Sequence, residues 1–240
     1  MESAAGDQSA FAIHAAAREG KASTVESLLK ADAQLATVRD VDGRLPVHWA
    51  CSANCLAVVA LLAEQRASWD PDAQDGSGWS PLMIAASVKD AEPLVQFLLG
   101  RGADVNQKNH SGQTALHLVA SKNQLEVART LCGHDPPASA RVRDQRGQYA
   151  LHRAAAVGAG PMVRLLLQHR SPLDAADAAG YTALHHAVAE GHGDTAVELL
   201  KAGADPAPKN RDGHTPLQLA PDKEVRNYIT REAEREGIVL

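Results

Sequence analysis

The sequence predicts an all-α solenoid built from seven helix-turn-helix units with hairpin tips and polar terminal caps, on three observations. A short block recurs along the whole chain at a nearly constant period. A glycine stands at a fixed distance before most copies of that block. Apolar residues make up 45% of the chain but aromatic residues only 3%, and small aliphatic side chains suit thin helices that pack closely.

The recurring block places a histidine at its fourth position in most copies. These fourth positions are His14, His48, Met83, His117, His152, His185 and Gln218, and successive ones are 33 to 35 residues apart. The copy Thr182–Ala187 resembles the Thr-Pro-Leu-His-x-Ala core of ankyrin repeats. The spacing predicts a single ankyrin-repeat domain over 1–240. Its units span about 8–42, 43–77, 78–111, 112–146, 147–179, 180–212 and 213–240.

The first helix of each unit has a predictable start. Proline suits a first helical position because its φ angle is already helical, and such prolines are Pro46, Pro81 and Pro216. A Ser or Thr before the helix caps it, as expected for Ser80, Thr182 and Thr215. The histidine near each start is expected to tie its turn to a neighbouring one through hydrogen bonds of the ring nitrogens.

The second helix of each unit is indicated by a pair of leucines. These pairs are Leu28-Leu29, Leu61-Leu62, Leu98-Leu99, Leu166-Leu167 and Leu199-Leu200. Pro93 and Pro161 fall near the start of this helix, where proline is tolerated. Gly102 and Gly203 are expected to end it. Each hairpin tip then carries one glycine, namely Gly43, Gly78, Gly112, Gly147, Gly180 and Gly213.

The terminal units are expected to be atypical, because a repeat at the end of a stack has one side facing water. Gln218 replaces the histidine in the last unit, which continues into the charged stretch Arg231–Glu236. Longer connections are expected around Trp69–Pro71 and His134–Pro137.

Charge and cysteine content narrow the class of protein. Lys and Arg number 24 against 29 Asp and Glu, so nucleic acid is not the expected partner. Three cysteines do not form a disulfide framework and favour a reducing compartment. The start of the chain lacks a secretory pattern, and no apolar stretch of about 18 residues is present. We expect a soluble protein of the cytoplasm and nucleus.

Catalytic and metal-binding chemistry is not predicted. Five histidines fall in the repeat's histidine position and are expected to be structural. Cys51 and Cys55 are four residues apart and are expected to share a helix face, but two thiols do not close a zinc site. The sequence has no nucleophile elbow or dinucleotide-binding glycine pattern. We therefore expect neither an enzyme nor a cofactor-binding protein.

Recognition of another protein remains as the predicted role. Two groups of residues lie where ankyrin stacks expose a binding surface. They are the charged tip residues Asp42, Arg44 and Asp75 and the two tryptophans Trp49 and Trp79. Lys122 follows the first helix of the fourth unit. Each charge is also compatible with a solvated tip, and Trp49 is equally compatible with core packing. Complementary charges set register and association rate, and tryptophan is favoured at binding hot spots.

Several strings resemble gankyrin and its fungal counterparts and depart from the generic ankyrin pattern. They are Asp40–Arg44, His48–Ala53, Gly78–Leu82, Ala120–Asn123, His152–Ala156 and Thr215–Ala220. The resemblance implies a chaperone for assembly of the 26S proteasome regulatory particle. Members of that family bind the C-terminal domain of an ATPase subunit along the concave face.

The resemblance also implies which residues contact the partner. Asp42, Arg44 and Lys122 match positions that pair with charges on the ATPase, and Asp75 lies in the second tip. The groove-lining matches are Trp49, Ser52, Trp79, Ser87 and Arg153. Gly76 stands where the family has an acid, which weakens the attraction for a basic partner. His186–Glu190 lacks the Leu and Cys of the family's retinoblastoma-binding motif, so that activity is not implied.

An alternative keeps the scaffold and changes the partner. A generic ankyrin interaction protein, for instance an inhibitor of a kinase or a transcription factor, fits the same repeats. In either case the protein is expected to be a monomer by itself.

Overall fold

The computed structural model describes residues 11–65, 67 and 69–240, and within them the chain is helical with no strand. These residues divide into two compact units, the N-terminal unit ending at His110 and the C-terminal unit Ser111–Leu240. The single domain over 1–240 stays a prediction, and each unit is described by itself.

Paired helices make up both units. The N-terminal unit contains α1 (11–18), α2 (Ala22–Ala31), a 3-10 helix (Ala33–Thr37), α3 (Pro46–Ser52), α4 (Leu56–Ala63), α5 (Pro81–Ser87) and α6 (Glu92–Gly100). The C-terminal unit contains α7 (Ala115–Ser121), α8 (Leu125–Gly133), α9 (Ala150–Ala156), α10 (Gly160–Gln168), α11 (Ala183–Ala189), α12 (Gly193–Lys201), a 3-10 helix (Pro216–Leu219) and α13 (Lys223–Arg235). The predicted ankyrin-repeat solenoid class is confirmed.

The helix boundaries follow the predicted local signals. Pro46 and Pro81 begin α3 and α5, and the Ser80 hydroxyl accepts a hydrogen bond from the Met83 N–H. The leucine pairs all lie in second helices. Gly102 and Gly203 follow α6 and α12 with φ of 89° and 92°, a conformation that glycine adopts without a steric penalty.

The core is made of small residues in first helices and leucines in second helices. The alanine two positions after the histidine slot has no exposed surface in four repeats, at Ala50, Ala85, Ala154 and Ala187. Equivalent leucines of the second helices are at most 3% exposed, at Leu62, Leu98, Leu131, Leu166 and Leu199. A methyl group at the alanine position lets adjacent helices approach closely, which explains the near absence of aromatic residues.

The tips between helix pairs are tight turns closed by backbone hydrogen bonds across each turn. We call residues 40–44, 75–79, 144–148, 177–181 and 210–214 the tips. In each, the N–H of the first residue donates to the carbonyl of the fifth over 2.8–3.0 Å. Adjacent tips within a unit are also joined, for example by the Gly76 N–H donating to the Asp42 carbonyl over 2.8 Å.

Where a first helix carries the repeat histidine, the ring links its own helix start to the following tip, as predicted. The Nδ1 atoms of His48, His117, His152 and His185 accept from the backbone N–H three residues earlier over 2.9–3.1 Å. Their Nε2 atoms contact carbonyls in or just before the following tip over 2.9–3.2 Å, at Ala73, Gln148, Ala175 and His214. Because Nδ1 accepts, the ring proton of the neutral form sits on Nε2 and donates to the carbonyl.

Burial keeps these four rings neutral. It lowers the pKa of His48, His117 and His185 below the usual histidine range, and lowers the pKa of His152 to about 4. A second proton on Nδ1 would also remove the hydrogen bond to the backbone N–H. The repeat linkage therefore depends on unprotonated rings.

The last repeat differs from the expectation of a regular first helix. Residues Pro216–Leu219 form one 3-10 turn, since Pro221 disfavours the α conformation at Ala220. Gln218 takes over one histidine contact, because its Oε1 accepts from the Thr215 N–H over 2.8 Å. The 13-residue helix α13 follows and buries only Ile229 and Ala233. This confirms a polar outer face at this end.

Cys51 and Cys55 do not share a helix face, contrary to the prediction. Cys51 lies in α3, whereas Cys55 stands at the start of α4 after a turn that includes Asn54 at φ 52°. Burial raises the pKa of the Cys51 thiol, and raises that of the Cys132 thiol to about 11. Across the part of the chain that the structure describes, no helix has the length and apolar character to cross a membrane.

We predict that acid destabilises the fold through the buried histidines. Their folded-state pKa values lie below the unfolded value of about 6.5, so the unfolded chain binds more protons and stability falls as the pH drops below 6.5. For His152 the full loss, reached near pH 4, is about 3 kcal/mol. Urea unfolding followed by circular dichroism at pH 7.5, 6 and 5 measures this slope. His152→Gln should reduce the slope, because it removes a buried ring whose pKa is lowered in the folded state. An unchanged slope in this variant would contradict the explanation.

We also predict a difference between two glycine substitutions. Gly78 has φ of 79°, and an added Cβ would lie 2.7 Å from the backbone nitrogen of His110. Gly102 has φ of 89° but open space around the Cβ position. Gly102→Ala should lower the free energy of unfolding by about 1–2 kcal/mol from backbone strain alone, and Gly78→Ala should lower it further because of the backbone contact. Equal losses in urea unfolding would contradict this explanation.

Candidate protein-binding surface

In the first tip, the Asp40 carboxylate organises the backbone and a neighbouring tryptophan. Its Oδ1 accepts from the N–H groups of Asp42 and Arg44 over 3.0 and 2.8 Å, and its Oδ2 accepts from the Trp49 indole Nε1 over 2.7 Å. Burial alone would raise the pKa of Asp40, but these hydrogen bonds outweigh it and hold the pKa below the usual range. Trp49, in α3, is thereby fixed to the tip beside it.

Two arginines lie over the Trp49 ring. The guanidinium carbons of Arg44 and Arg18 are 4.9 and 5.7 Å from the ring centroid, within cation–π range. Trp49 is half-buried, which is intermediate between the two sequence interpretations of core packing and surface contact. Its indole is held at one edge by a carboxylate, with two cations over the ring, so it offers a rigid aromatic surface.

Asp75 is not the open tip charge that the sequence analysis expected. Its side chain is 2% exposed; one oxygen accepts from the N–H groups of Ser77 and Trp79, and the other lies 3.2 Å from Arg44 Nε. The burial arises because the first residue of a tip points its carboxylate into its own turn. Asp75 therefore positions Arg44, and its predicted contact with a partner stays a prediction.

The other predicted residues of the N-terminal unit differ in exposure. Asp42 and Ser52 are exposed, and Trp79 is half-buried. Ser87 is half-buried and donates its hydroxyl to the Ile84 carbonyl over 2.7 Å. Trp49 and Trp79 do not occupy equivalent places in their repeats. Trp49 lies inside α3, whereas Trp79 ends a tip, the position that Arg44 has in the preceding repeat.

The C-terminal unit repeats the buried carboxylate with different partners. The Asp144 side chain, 2% exposed, accepts from two N–H groups of its tip and forms a 2.7 Å ion pair with Arg153 Nη2. Asp177 does the same for its own tip and meets His186 Nε2 at 3.0 Å and Gln148 Nε2 at 2.9 Å. Arg153 is therefore restrained and only 22% exposed.

Lys122 stands exposed at the end of α7 in the same unit. It forms no ion pair with any residue in the described ranges. Its ammonium group is available to an acidic partner, which agrees with its predicted position but does not test the prediction.

An open cleft of about 540 Å³ lies in the N-terminal unit between α1, the first tip and α3. Its lining includes Phe11 and Arg18 of α1, Val41 and Asp42 of the first tip, and Trp49 of α3. It is also lined by His14, Ala15, Arg39 and Asp40. The predicted site residues Asp42 and Trp49 thus meet at a concave feature, whereas Ser52 and Ser87 are outside its lining.

Sequence reasoning missed the role of the first tip carboxylate in holding its turn, and it missed both α1 residues of the cleft. A signal for the carboxylates was available, because Asp40, Asp75, Asp144 and Asp177 each precede a tip glycine by three residues. Nothing in the α1 sequence marks Phe11 and Arg18, since they become neighbours of Trp49 only through packing. Within the described part of the chain, no three His, Cys, Asp or Glu side chains are grouped to hold a metal ion.

The chain matches the family model described as ankyrin repeats in three copies, over residues 3–75, 63–140, 82–174 and 134–210. Among solved structures, it is similar to the ankyrin-repeat domain of Bcl-3, with 26% identity over 91% of this chain and 97% of that one and a TM-score of 0.74. The ankyrin-repeat domain of human ASB11 has a TM-score of 0.79 at 20% identity, covering 92% of this chain and 96% of that one. The latter supports the fold alone.

Two yeast proteins are similar over nearly their whole lengths. One is the probable 26S proteasome regulatory subunit p28 of Saccharomyces cerevisiae, 35% identical over 91% of this chain and 97% of the relative. The other is an ankyrin repeat-containing protein of Schizosaccharomyces pombe, 37% identical over 90% of this chain and 92% of the relative. The chain therefore belongs to the ankyrin-repeat family and, within it, to the gankyrin-like proteins.

Proposed function

We propose that the chain is a non-catalytic chaperone that assists assembly of the 26S proteasome regulatory particle by binding the C-terminal domain of an ATPase subunit. The observation that carries this proposal is the 35% identity with the Saccharomyces cerevisiae protein over almost the full length of both chains. Under this proposal the chain acts as a monomer in the cytoplasm and nucleus.

The arrangement of charges supports binding to a protein surface of mixed charge. Asp42 and Lys122 are exposed and of opposite sign. Arg44 is one-third exposed and is held by Asp75, which fixes the direction of its remaining donors. Side chains that are ordered before binding lose less conformational entropy on association. A partner with acidic and basic groups in matching positions gains orientation from such fixed charges.

The buried ionisable groups support a scaffold role in preference to chemistry. Asp40, Asp75 and Asp144 use their oxygens to hold tips and neighbouring side chains. The buried histidines use both ring nitrogens in links between tips. Groups with these contacts stabilise the surface on which recognition takes place, and the proposed function needs no reacting group.

A second candidate keeps the same surface for another client. The similarity to the ankyrin-repeat domain of Bcl-3, which is described as a unique member of the IkappaB protein family, favours this candidate. The chain would then regulate a protein other than a proteasomal ATPase. The two candidates differ in the partner recovered, so they are separated by direct binding to a purified proteasomal ATPase C-terminal domain.

We predict that reversing two exposed charges weakens binding to that domain. Arg44→Glu is unsuitable, since it would bring a second carboxylate to the buried Asp75 side chain. Asp42→Lys combined with Lys122→Glu avoids this problem and keeps the net charge. The pair should reduce affinity about tenfold or more at low salt, because like charges then face each other across the interface. At 0.5 M salt the Debye length falls to about 4 Å, so the difference in affinity should shrink.

Isothermal titration calorimetry of wild type and variant measures the effect. Glu64→Lys combined with Lys89→Glu is the matched control, because both residues are exposed and the same two charges are reversed. The control should bind like wild type. Failure of the wild-type chain to bind any proteasomal ATPase C-terminal domain would overturn the proposed function.

A further inference from the structure

We propose that the cleft of the N-terminal unit receives a large apolar side chain of the partner that lies next to an acidic residue. The inference rests on the protein-binding role proposed above and adds the chemistry of one contact. It is carried by three cleft residues, Phe11, Arg18 and Trp49, of which only Trp49 was expected to contact a partner.

The apolar character of the cleft comes from residues that are unusually exposed. Phe11 is 78% exposed and Val41 is fully exposed, although both are large apolar side chains. They line the same cleft as the half-buried Trp49 ring. Exposed apolar surface gathered in a concave site with an aromatic wall is typical of places where an apolar group is buried on binding.

Arg18 supplies the positive charge of the cleft. Its guanidinium lies over the Trp49 ring, its side chain is exposed, and it forms no ion pair with the residues that the structure describes. Of the other charged groups in the lining, Asp42 is exposed, whereas Asp40 and Arg39 are committed to contacts within the chain. The Asp40 oxygens accept from two backbone N–H groups and the indole, and Arg39 Nη1 donates to the carbonyls of Gly43 and Gln74.

These features together select the occupant. An apolar group alone would remove water from the Arg18 guanidinium above the Trp49 ring without replacing the lost hydrogen bonds, which is unfavourable. A carboxylate next to the apolar group satisfies it, and a planar guanidinium can donate two parallel hydrogen bonds to a carboxylate. The cleft volume of about 540 Å³ is within the range of sites that enclose a compact group.

The first test uses 8-anilinonaphthalene-1-sulfonate, whose apolar rings carry one anionic sulfonate and imitate this combination. The wild-type chain should bind the dye with a rise in fluorescence. Phe11→Ala and Arg18→Glu should each weaken dye binding about tenfold, because each removes one of the two features that the dye needs. Leu56→Ala, at an exposed leucine of the same unit outside the cleft, is the matched control and should bind like wild type.

The second test measures binding of the same variants to the proteasomal ATPase C-terminal domain. Phe11→Ala and Arg18→Glu should lose about tenfold in affinity, and Leu56→Ala should not. If wild type binds the domain and all variants bind equally, the cleft proposal is wrong and the proposed function stands. If no chain binds the domain but the dye results hold, the proposed function is wrong and the cleft proposal is supported.

Other occupants give distinct results that overturn the proposal. A dimer of the wild-type chain that Phe11→Ala abolishes, seen by light scattering, would assign the cleft to a second copy. Dye binding that appears only after residues 1–10 are removed would assign it to the chain's own leading segment. If the wild type binds the dye and neither Phe11→Ala nor Arg18→Glu changes that binding, the dye binds elsewhere. The proposed preference of the cleft for an apolar group next to an anion would then be wrong.

Discussion

The first helix of most repeats carries a histidine whose ring makes two hydrogen bonds in opposite directions. Nδ1 accepts from the backbone at the helix start, and Nε2 donates to a carbonyl in or just before the following tip, as His48 and His117 illustrate. Both hydrogen bonds require the neutral ring with its proton on Nε2. Burial keeps the rings neutral by lowering their pKa. Met83 has no ring nitrogens, and there the N-terminal end of α5 is satisfied by Ser80. Stability of each unit thus depends on local links that repeat along the chain.

The tips add a second constraint that prepares the binding surface. A carboxylate at the first position of a tip accepts from the backbone of its own turn and then holds one or two side chains of neighbouring elements. Asp40 holds Trp49, and Asp144 holds Arg153. Asp42, which is left exposed in the first tip, is therefore presented from a rigid frame. Asp40 and Asp42 are two residues apart in one turn, but only Asp40 uses its carboxylate to hold that turn.

Most of the fold follows from the sequence, because the period, the prolines and the tip glycines act locally. The candidate binding surface is predicted less completely from the sequence. In the sequence, Asp42 and Asp75 are both charged tip residues. Asp75 is the first residue of its tip and Asp42 is the third, and only a carboxylate at the first position accepts hydrogen bonds from the backbone of the turn. Trp49 and Trp79 also differ in register within their repeats. Phe11 and Arg18 could not be selected, since their proximity to Trp49 depends on packing between α1, the tip and α3. The short turn at Pro216–Leu219 reflects Pro221, a signal that lies outside the repeat pattern.

The histidine linkage is tested most directly by the ring ¹⁵N chemical shifts of His48, His117, His152 and His185, read from two-bond ¹H–¹⁵N correlation spectra. We predict that at pH 7 each ring is a single neutral tautomer with the proton on Nε2. At pH 5.5 the four linking rings should be less protonated than a free histidine ring, because burial lowers their pKa. Linking rings that average between tautomers at pH 7, or that are as protonated at pH 5.5 as a free histidine ring, would contradict the account.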